Sequence, residues 1–94
     1  MSVARIYRMT AAEGQGDALA AALEGLVPAV LAQPGCTGID TFRDLENPNL
    51  FLFIEKWESV DAHKAGLGAL PADVLPPVMA ALAGPPEGTY ADQI

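Results

Sequence analysis

The chain has 94 residues, and five Lys and Arg against twelve Asp and Glu give it a formal charge of −7. An acidic chain repels phosphate backbones, which excludes nucleic acid as an expected partner. Because 51% of the residues are hydrophobic, the sequence is also unlike a disordered segment. It is predicted to fold as one domain over residues 1–94.

The chain contains a single cysteine, Cys36. One thiol excludes an intrachain disulfide and a Cys-x-x-Cys metal or redox motif, and it fits a reducing, cytoplasmic location. The N-terminal residues lack the apolar core of a signal peptide. No run reaches the roughly 20 apolar residues that span a bilayer, so we expect no membrane partner.

The first two predicted elements are a strand and an amphipathic helix. Residues 3–9 alternate as a strand does, with Val3, Arg5, Tyr7 and Met9 on one face. The helix is indicated by apolar residues at helical spacing, which are Leu19, Leu23, Leu26, Val27, Val30 and Leu31. It is expected to end at residues 33–35, where a proline and a glycine follow each other.

A hairpin is predicted next, with a strand from about 37 to 43, a turn over 44–49 and a strand over 50–57. The second strand is apolar on both faces. Its aromatic residues share one face with a carboxylate: Phe51, Phe53, Glu55 and Trp57. Its aliphatic residues share the other face: Leu50, Leu52 and Ile54. A strand with this pattern is expected to be covered on both sides.

The last third of the sequence predicts two short helices and a strand. Ser59 is a favourable N-cap for a helix through about Gly68. Its inward stripe is formed by Val60, His63, Leu67 and Leu70. Pro71 is expected to begin the next helix at its first position. The inward residues there are Leu75, Val78, Met79 and Leu82. A closing strand is expected over 88–94.

The order of strands and helices predicts an α+β, ferredoxin-like βαββαβ fold, with helices on one face of a four-stranded antiparallel sheet. The other face of the sheet would then expose Leu50, Leu52 and Ile54. Such an apolar patch exceeds what a monomer normally shows to water. We therefore expect a homodimer in which two sheets pack across the exposed face.

Three short stretches carry a family resemblance: residues 34–36 at the junction of helix and strand, 43–48 at the hairpin turn, and 55–59 at the end of the third strand. The last reads Glu-Lys-Trp-Glu-Ser. Together they resemble the antibiotic biosynthesis monooxygenase family of small dimeric α+β barrel proteins. The resemblance implies a dimeric barrel. Characterised relatives oxidise quinols or aromatic polyketides without metal or flavin, degrade haem, or isomerise small sugars.

The resemblance implies a cofactor-independent monooxygenase that oxidises a quinol-like or polycyclic phenolic small molecule between the sheet and the helices. That chemistry needs a base, a dry pocket and no cofactor or metal. Gly66 stands where family members commonly have a histidine, which disfavours haem degradation, and Phe53 stands where some oxygenases have an amide. The alternatives are a non-catalytic small-molecule-binding or structural dimer, and a small-molecule isomerase.

Two residues are candidates for proton transfer. His63, the only histidine, is the candidate base because imidazole titrates near neutrality. The alternative is a half-exposed histidine bonded to a neighbour or to water. Glu55 is the second candidate, because desolvation would raise its pKa. Its alternative role is a structural carboxylate paired with an arginine such as Arg5, Arg8 or Arg43.

The expected substrate is an aromatic small molecule, and four residues are candidates for binding it. Trp57, Phe51 and Phe53 are expected to wall the pocket, and the indole N–H of Trp57 is available as a donor. Tyr7 is expected to supply a hydroxyl. Core packing is the alternative for Trp57, and an exposed or ordinary core position is the alternative for Tyr7.

Overall fold

A computed structural model of the chain describes residues 2–94. The strands are β1 (Val3–Thr10), β2 (Cys36–Arg43), β3 (Leu50–Trp57) and β4 (Glu87–Asp92). The helices are α1 (Gly16–Leu31), α2 (Val60–Gly68) and α3 (Leu75–Ala81). The bounds predicted for β3 are confirmed. The closing strand is shorter than predicted and begins one residue earlier.

All neighbouring strands are antiparallel, and they lie in the order β2-β3-β1-β4. This is the ferredoxin-like α+β arrangement, so the predicted fold class is confirmed. The core lies between one face of the sheet and the helices. It is built from the inward residues of α1 and β3 together with Val78 and Ala81 of α3. Within residues 2–94, no helix is long and apolar enough to cross a membrane.

The helix α2 begins as its sequence predicted. The hydroxyl of Ser59 accepts a hydrogen bond from the backbone N–H of Ala62, at 3.0 Å. That bond satisfies one of the donors that the first turn of a helix leaves free. The cap therefore fixes where α2 begins after β3, and it places His63 one turn into the helix.

The prediction that Pro71 begins α3 is wrong. Residues 72–74 form a turn and the helix begins at Leu75, with Pro76 in its first turn. Proline is tolerated there because the first backbone N–H groups of a helix have no partner within the helix. Pro76 is thus placed where a proline costs least.

Three residues predicted to face inward are about half exposed: Leu31, Leu67 and Met79, at 45%, 46% and 53%. At 3.6 residues per turn, Leu31 lies about 120° around α1 from Leu19, outside the buried stripe. Leu67 and Met79 border an open cavity that is described below. Helical spacing gave the correct direction for these two, but it did not predict the opening.

Candidate functional site

The candidate site is built on one row of residues across the sheet. The register of the strands places Tyr90 of β4, Arg5 of β1 and Glu55 of β3 side by side. Directly paired residues of antiparallel strands point to the same face, which here is the face covered by helices. Three polar side chains from three strands therefore meet beneath α2, which adds His63.

The imidazole of His63 joins both tyrosines of the chain. Its Nε2 lies 2.9 Å from the hydroxyl of Tyr7, and its Nδ1 lies 2.8 Å from the hydroxyl of Tyr90. The side chain is only 3% exposed. The half exposure in the alternative for this helix histidine is therefore wrong, because the side chain is buried, whereas the bonding to neighbours that the alternative also expected is found at both ring nitrogens.

The carboxylate of Glu55 is buried beside this group. Its Oε1 accepts a hydrogen bond from the indole Nε1 of Trp57 at 2.9 Å and lies 3.6 Å from Nε2 of His63. Within the described chain, no arginine forms an ion pair with Glu55, so the alternative of such a pairing is wrong. Arg43 instead pairs with Asp17 at the surface, at 3.0 Å.

Burial shifts the pKa of three groups in this cluster, which are Glu55, His63 and Tyr7. It raises the pKa of Glu55, whose bond from Trp57 and whose positive neighbour Arg5 act in the opposite direction. It lowers the pKa of His63, and the charge of Arg5 lowers it further. It also raises the pKa of Tyr7. His63 is therefore neutral at neutral pH, and the carboxyl of Glu55 holds its proton more readily than an exposed one does.

Arg5 is the positive charge of the cluster. Its guanidinium lies over the rings of Tyr90 and Tyr7, with the central carbon 4.3 Å and 4.9 Å from the two ring centres. A Cβ at Gly88, the neighbour of Tyr7 on β4, would overlap that guanidinium, so the glycine makes room for it. Nε of Arg5 is buried and forms no hydrogen bond within residues 2–94.

A cavity of about 280 Å³ lies between the sheet and the helices. Arg5, Tyr7 and Glu55 line it with polar groups. The remaining walls are apolar and include Leu26, Val30, Phe53, Leu75 and Val78. Leu67 and Met79, both half exposed, also border it. An apolar chamber with a few converging polar groups is typical of small-molecule sites.

Only some of the predicted site residues line this cavity. Tyr7, Phe53 and Glu55 line it, whereas His63 and Trp57 lie behind them, around a space of about 10 Å³ that also touches Glu55. A space of that size holds at most one water molecule. Phe51 borders neither space, since it packs in the core beneath the guanidinium of Arg43. His63 itself does not line the cavity, but its Nε2 lies 2.9 Å from the hydroxyl of Tyr7, which does.

Gly66 lies against the indole ring. A Cβ built on it would lie 2.5 Å from Cη2 of Trp57, which is closer than real side-chain contacts allow. The ring of Trp57 thus occupies the space that any side chain at position 66 needs. The orientation of the Trp57 ring therefore requires a glycine at position 66.

Two residues of the site were not predicted: Tyr90 and, as a cavity residue, Arg5. Arg5 had a signal in the sequence, because it is a charged residue on the strand face that also carries Val3, Tyr7 and Met9. Tyr90 had none, since its place depends on how β4 pairs with β1. Among residues 2–94, no three His, Cys, Asp or Glu side chains are placed to hold a metal ion.

Comparison with known proteins gives one family match. The sequence profile described as antibiotic biosynthesis monooxygenase matches residues 2–68. No curated protein sequence matches the chain.

Several solved structures share the fold. A proposed antibiotic biosynthesis monooxygenase from Chloroflexus aurantiacus is 28% identical, with a TM-score of 0.83 over 100% of this chain and 94% of that one. Another, from Bordetella bronchiseptica, is 22% identical, with a TM-score of 0.87 over 99% and 97%. SnoaB, a cofactor-independent oxygenase from Streptomyces nogalater, is 18% identical, with a TM-score of 0.80 over 98% and 92%.

Proposed function

The chain belongs to the antibiotic biosynthesis monooxygenase family, and we propose that it is a cofactor-independent monooxygenase of a phenolic or quinol-like molecule. The observation that carries the proposal is the cavity between the sheet and the helices. Its apolar walls suit an aromatic ring, and Arg5, Tyr7 and Glu55 suit an acidic hydroxyl on that ring.

The size of the cavity narrows the substrate class. At about 280 Å³ it lies just below the roughly 300–1,000 Å³ that is usual for ligand pockets. A molecule with one or two fused rings fits such a volume better than a larger polycyclic one. Leu67 and Met79 are half exposed at its border, which provides a route of entry for an apolar molecule.

We assign the role of base to Glu55. It is the acidic group that lines the cavity, and burial raises its pKa, which makes its carboxylate a stronger base than an exposed one. Arg5 and Tyr7 stand beside it and stabilise the negative charge that remains on the ligand oxygen. His63 holds Tyr7 in place and does not itself touch the substrate.

The reaction needs no electrons beyond those of the substrate. The ring anion transfers one electron to dioxygen, and the two radicals combine so that a C–O bond forms at a ring carbon. The distal oxygen of this peroxide takes up the proton that Glu55 removed from the hydroxyl. Loss of the proton on the ring carbon then breaks the O–O bond and expels hydroxide, which that second proton converts to water. One oxygen atom remains as a carbonyl and the other leaves as water, so a phenol and dioxygen give a quinone and water.

The test is oxygen uptake by the purified protein with 1-naphthol and with simple hydroquinones. We expect uptake with at least one of them, and Glu55→Gln is expected to lower kcat by about 10²- to 10⁴-fold. Glu58→Gln is the matched control, because Glu58 is an exposed carboxylate just after β3. Lack of uptake with the whole panel would contradict the proposal, and binding without uptake would favour a non-catalytic binding protein.

We also infer that two copies of the chain pack across the open face of the sheet. Leu52 and Ile54 are half-buried there and Phe42 is 53% exposed, so the face presents an apolar surface to solvent. Sedimentation of the wild type at micromolar concentration is expected to give a dimer, and Leu52→Asp a monomer. A wild-type monomer would contradict the inference. The cytoplasmic location stays a prediction.

A further inference from the structure

The imidazole of His63 couples the two tyrosines of the site. Each ring nitrogen lies within hydrogen-bond distance of one phenol, Nε2 of Tyr7 and Nδ1 of Tyr90. A neutral imidazole carries one proton, so one nitrogen donates and the other accepts. If Nε2 carries the proton, Tyr90 must donate to Nδ1 and Tyr7 must accept. The opposite tautomer reverses both bonds.

We propose that Tyr90 donates its hydroxyl hydrogen to Nδ1 of His63 and so holds the proton of the ring on Nε2. Nε2–H then donates to the oxygen of Tyr7. The hydroxyl hydrogen of Tyr7 is consequently left to donate into the cavity. Tyr90 is thus a positioning residue, which decides from outside the cavity whether Tyr7 offers a donor or an acceptor to a bound molecule.

The surroundings of the ring support this tautomer. Oε1 of Glu55 lies 3.6 Å from Nε2, and a carboxylate at that distance favours a proton on the facing nitrogen. Nδ1 faces the hydroxyl of Tyr90. The other charged groups near the ring are Arg5 of β1 and Lys64 of α2, and both disfavour a second proton on it. The ring is therefore neutral, and its single proton is on the side of Glu55.

The consequence for ligand binding rests on the proposed function. With Tyr7 as a donor, the polar end of the cavity presents two donors, the hydroxyl of Tyr7 and the guanidinium of Arg5, whose Nε has no partner within residues 2–94. Such a pair selects an oxyanion over a hydroxyl. The ligand is therefore held as a phenolate, and Tyr90 contributes although β4 lies beyond the residues that match the family.

The tautomer is measured by proton–nitrogen correlation NMR of the ¹⁵N-labelled protein. Because His63 is the only histidine, the imidazole gives one set of signals. We expect the pattern of the Nε2–H tautomer in the wild type. In Tyr90→Phe, which removes only the hydroxyl, we expect the Nδ1 signal to move and the other tautomer to gain population. An Nδ1–H pattern in the wild type would overturn the proposal, whether or not any variant folds.

The effect on the ligand is measured by the absorbance of 2-naphthol, which differs between its neutral and anionic forms. Tyr7→Phe is expected to weaken binding of the anion by about tenfold or more, since it removes a hydrogen bond to a charged group. Tyr90→Phe is expected to weaken it by about two- to tenfold. Unchanged binding of the anion in Tyr90→Phe would overturn the ligand part of the proposal. Neither measurement needs oxygen uptake, so failure of the proposed oxygenase activity is seen separately.

Discussion

The two faces of β3 are both apolar, yet only one of them is packed within the chain. Phe53 on the helix side is fully buried, whereas Leu52 beside it is half-buried on the open side. The covered face also holds the charged groups of the site, Glu55 and, from β1, Arg5. The difference shows that hydrophobicity alone does not identify the functional side of this sheet. The buried polar groups beside a cavity identify that side.

The largest expected effect is a difference in the free energy of unfolding between substitutions on the two faces of β3. Phe53→Ala removes a fully buried ring from the covered face and is expected to lower the free energy of unfolding by about 3–5 kcal/mol. Leu52→Ala on the open face is expected to cost about 1 kcal/mol in the monomer, because the side chain is only half-buried. Urea denaturation at low protein concentration measures both. Equal losses would mean that the open face is packed as tightly as the covered one.

A smaller effect on stability is expected at Gly66, which packs closely against the ring of Trp57. Gly66→Ala puts a Cβ into the ring of Trp57 and is expected to destabilise the fold by about 1–3 kcal/mol. Gly25→Ala is the matched control, because nothing lies within 4 Å of its added Cβ on α1. The control is expected to gain about 0.5–1 kcal/mol from reduced chain entropy. Thermal unfolding compares the two, and a neutral Gly66→Ala would show that the indole moves freely.

The smallest effect is the dependence of stability on pH, which the polar groups of the covered face produce. Burial raises the pKa of Glu55 above its usual 4.5. The folded protein therefore binds more protons than the unfolded chain between 4.5 and the raised pKa. The stability due to Glu55 is fully present below pH 4.5 and is lost as the pH rises through the raised pKa. Glu55→Gln is expected to remove this loss.

The contribution of His63 to stability changes with pH in the opposite direction. Burial lowers its pKa below the usual 6.5, so the unfolded chain binds more protons between the lowered pKa and 6.5. The stability due to His63 is fully present above pH 6.5 and is lost as the pH falls through the lowered pKa. Urea denaturation of the wild type, Glu55→Gln and His63→Gln over this range separates the two effects. An unchanged pH profile in both variants would show that neither group is buried in solution.

Local pattern was sufficient for much of the fold. The alternation along residues 50–57 predicted both faces of β3, and Ser59 predicted where α2 begins. The inward direction of His63 followed from helical spacing. These features depend on residues that are close in the sequence, because the periods of strands and helices fix which way each side chain points.

The sequence pattern failed at three points. It offered an arginine partner as the alternative role of Glu55, although the bond that the carboxylate accepts comes from Trp57 two residues away. It also predicted that α3 begins at Pro71. The pattern could not show that residues 72–74 form a turn and that the prolines of the first helical turn come after it. It also placed Phe51 in the pocket with Phe53 because both point to one face, whereas only Phe53 lines the cavity.

The sequence by itself therefore determined most of the elements, the direction of most side chains and the ferredoxin-like class, because these follow from short-range backbone geometry. Tertiary structure decided which buried groups meet. His63 lies between Tyr7 and Tyr90 because β4 pairs with β1 and the imidazole reaches both tyrosines from α2, and the tyrosines are far apart in the sequence. A contact of this kind depends on the register between strands and on the closure of long loops, which no local pattern encodes.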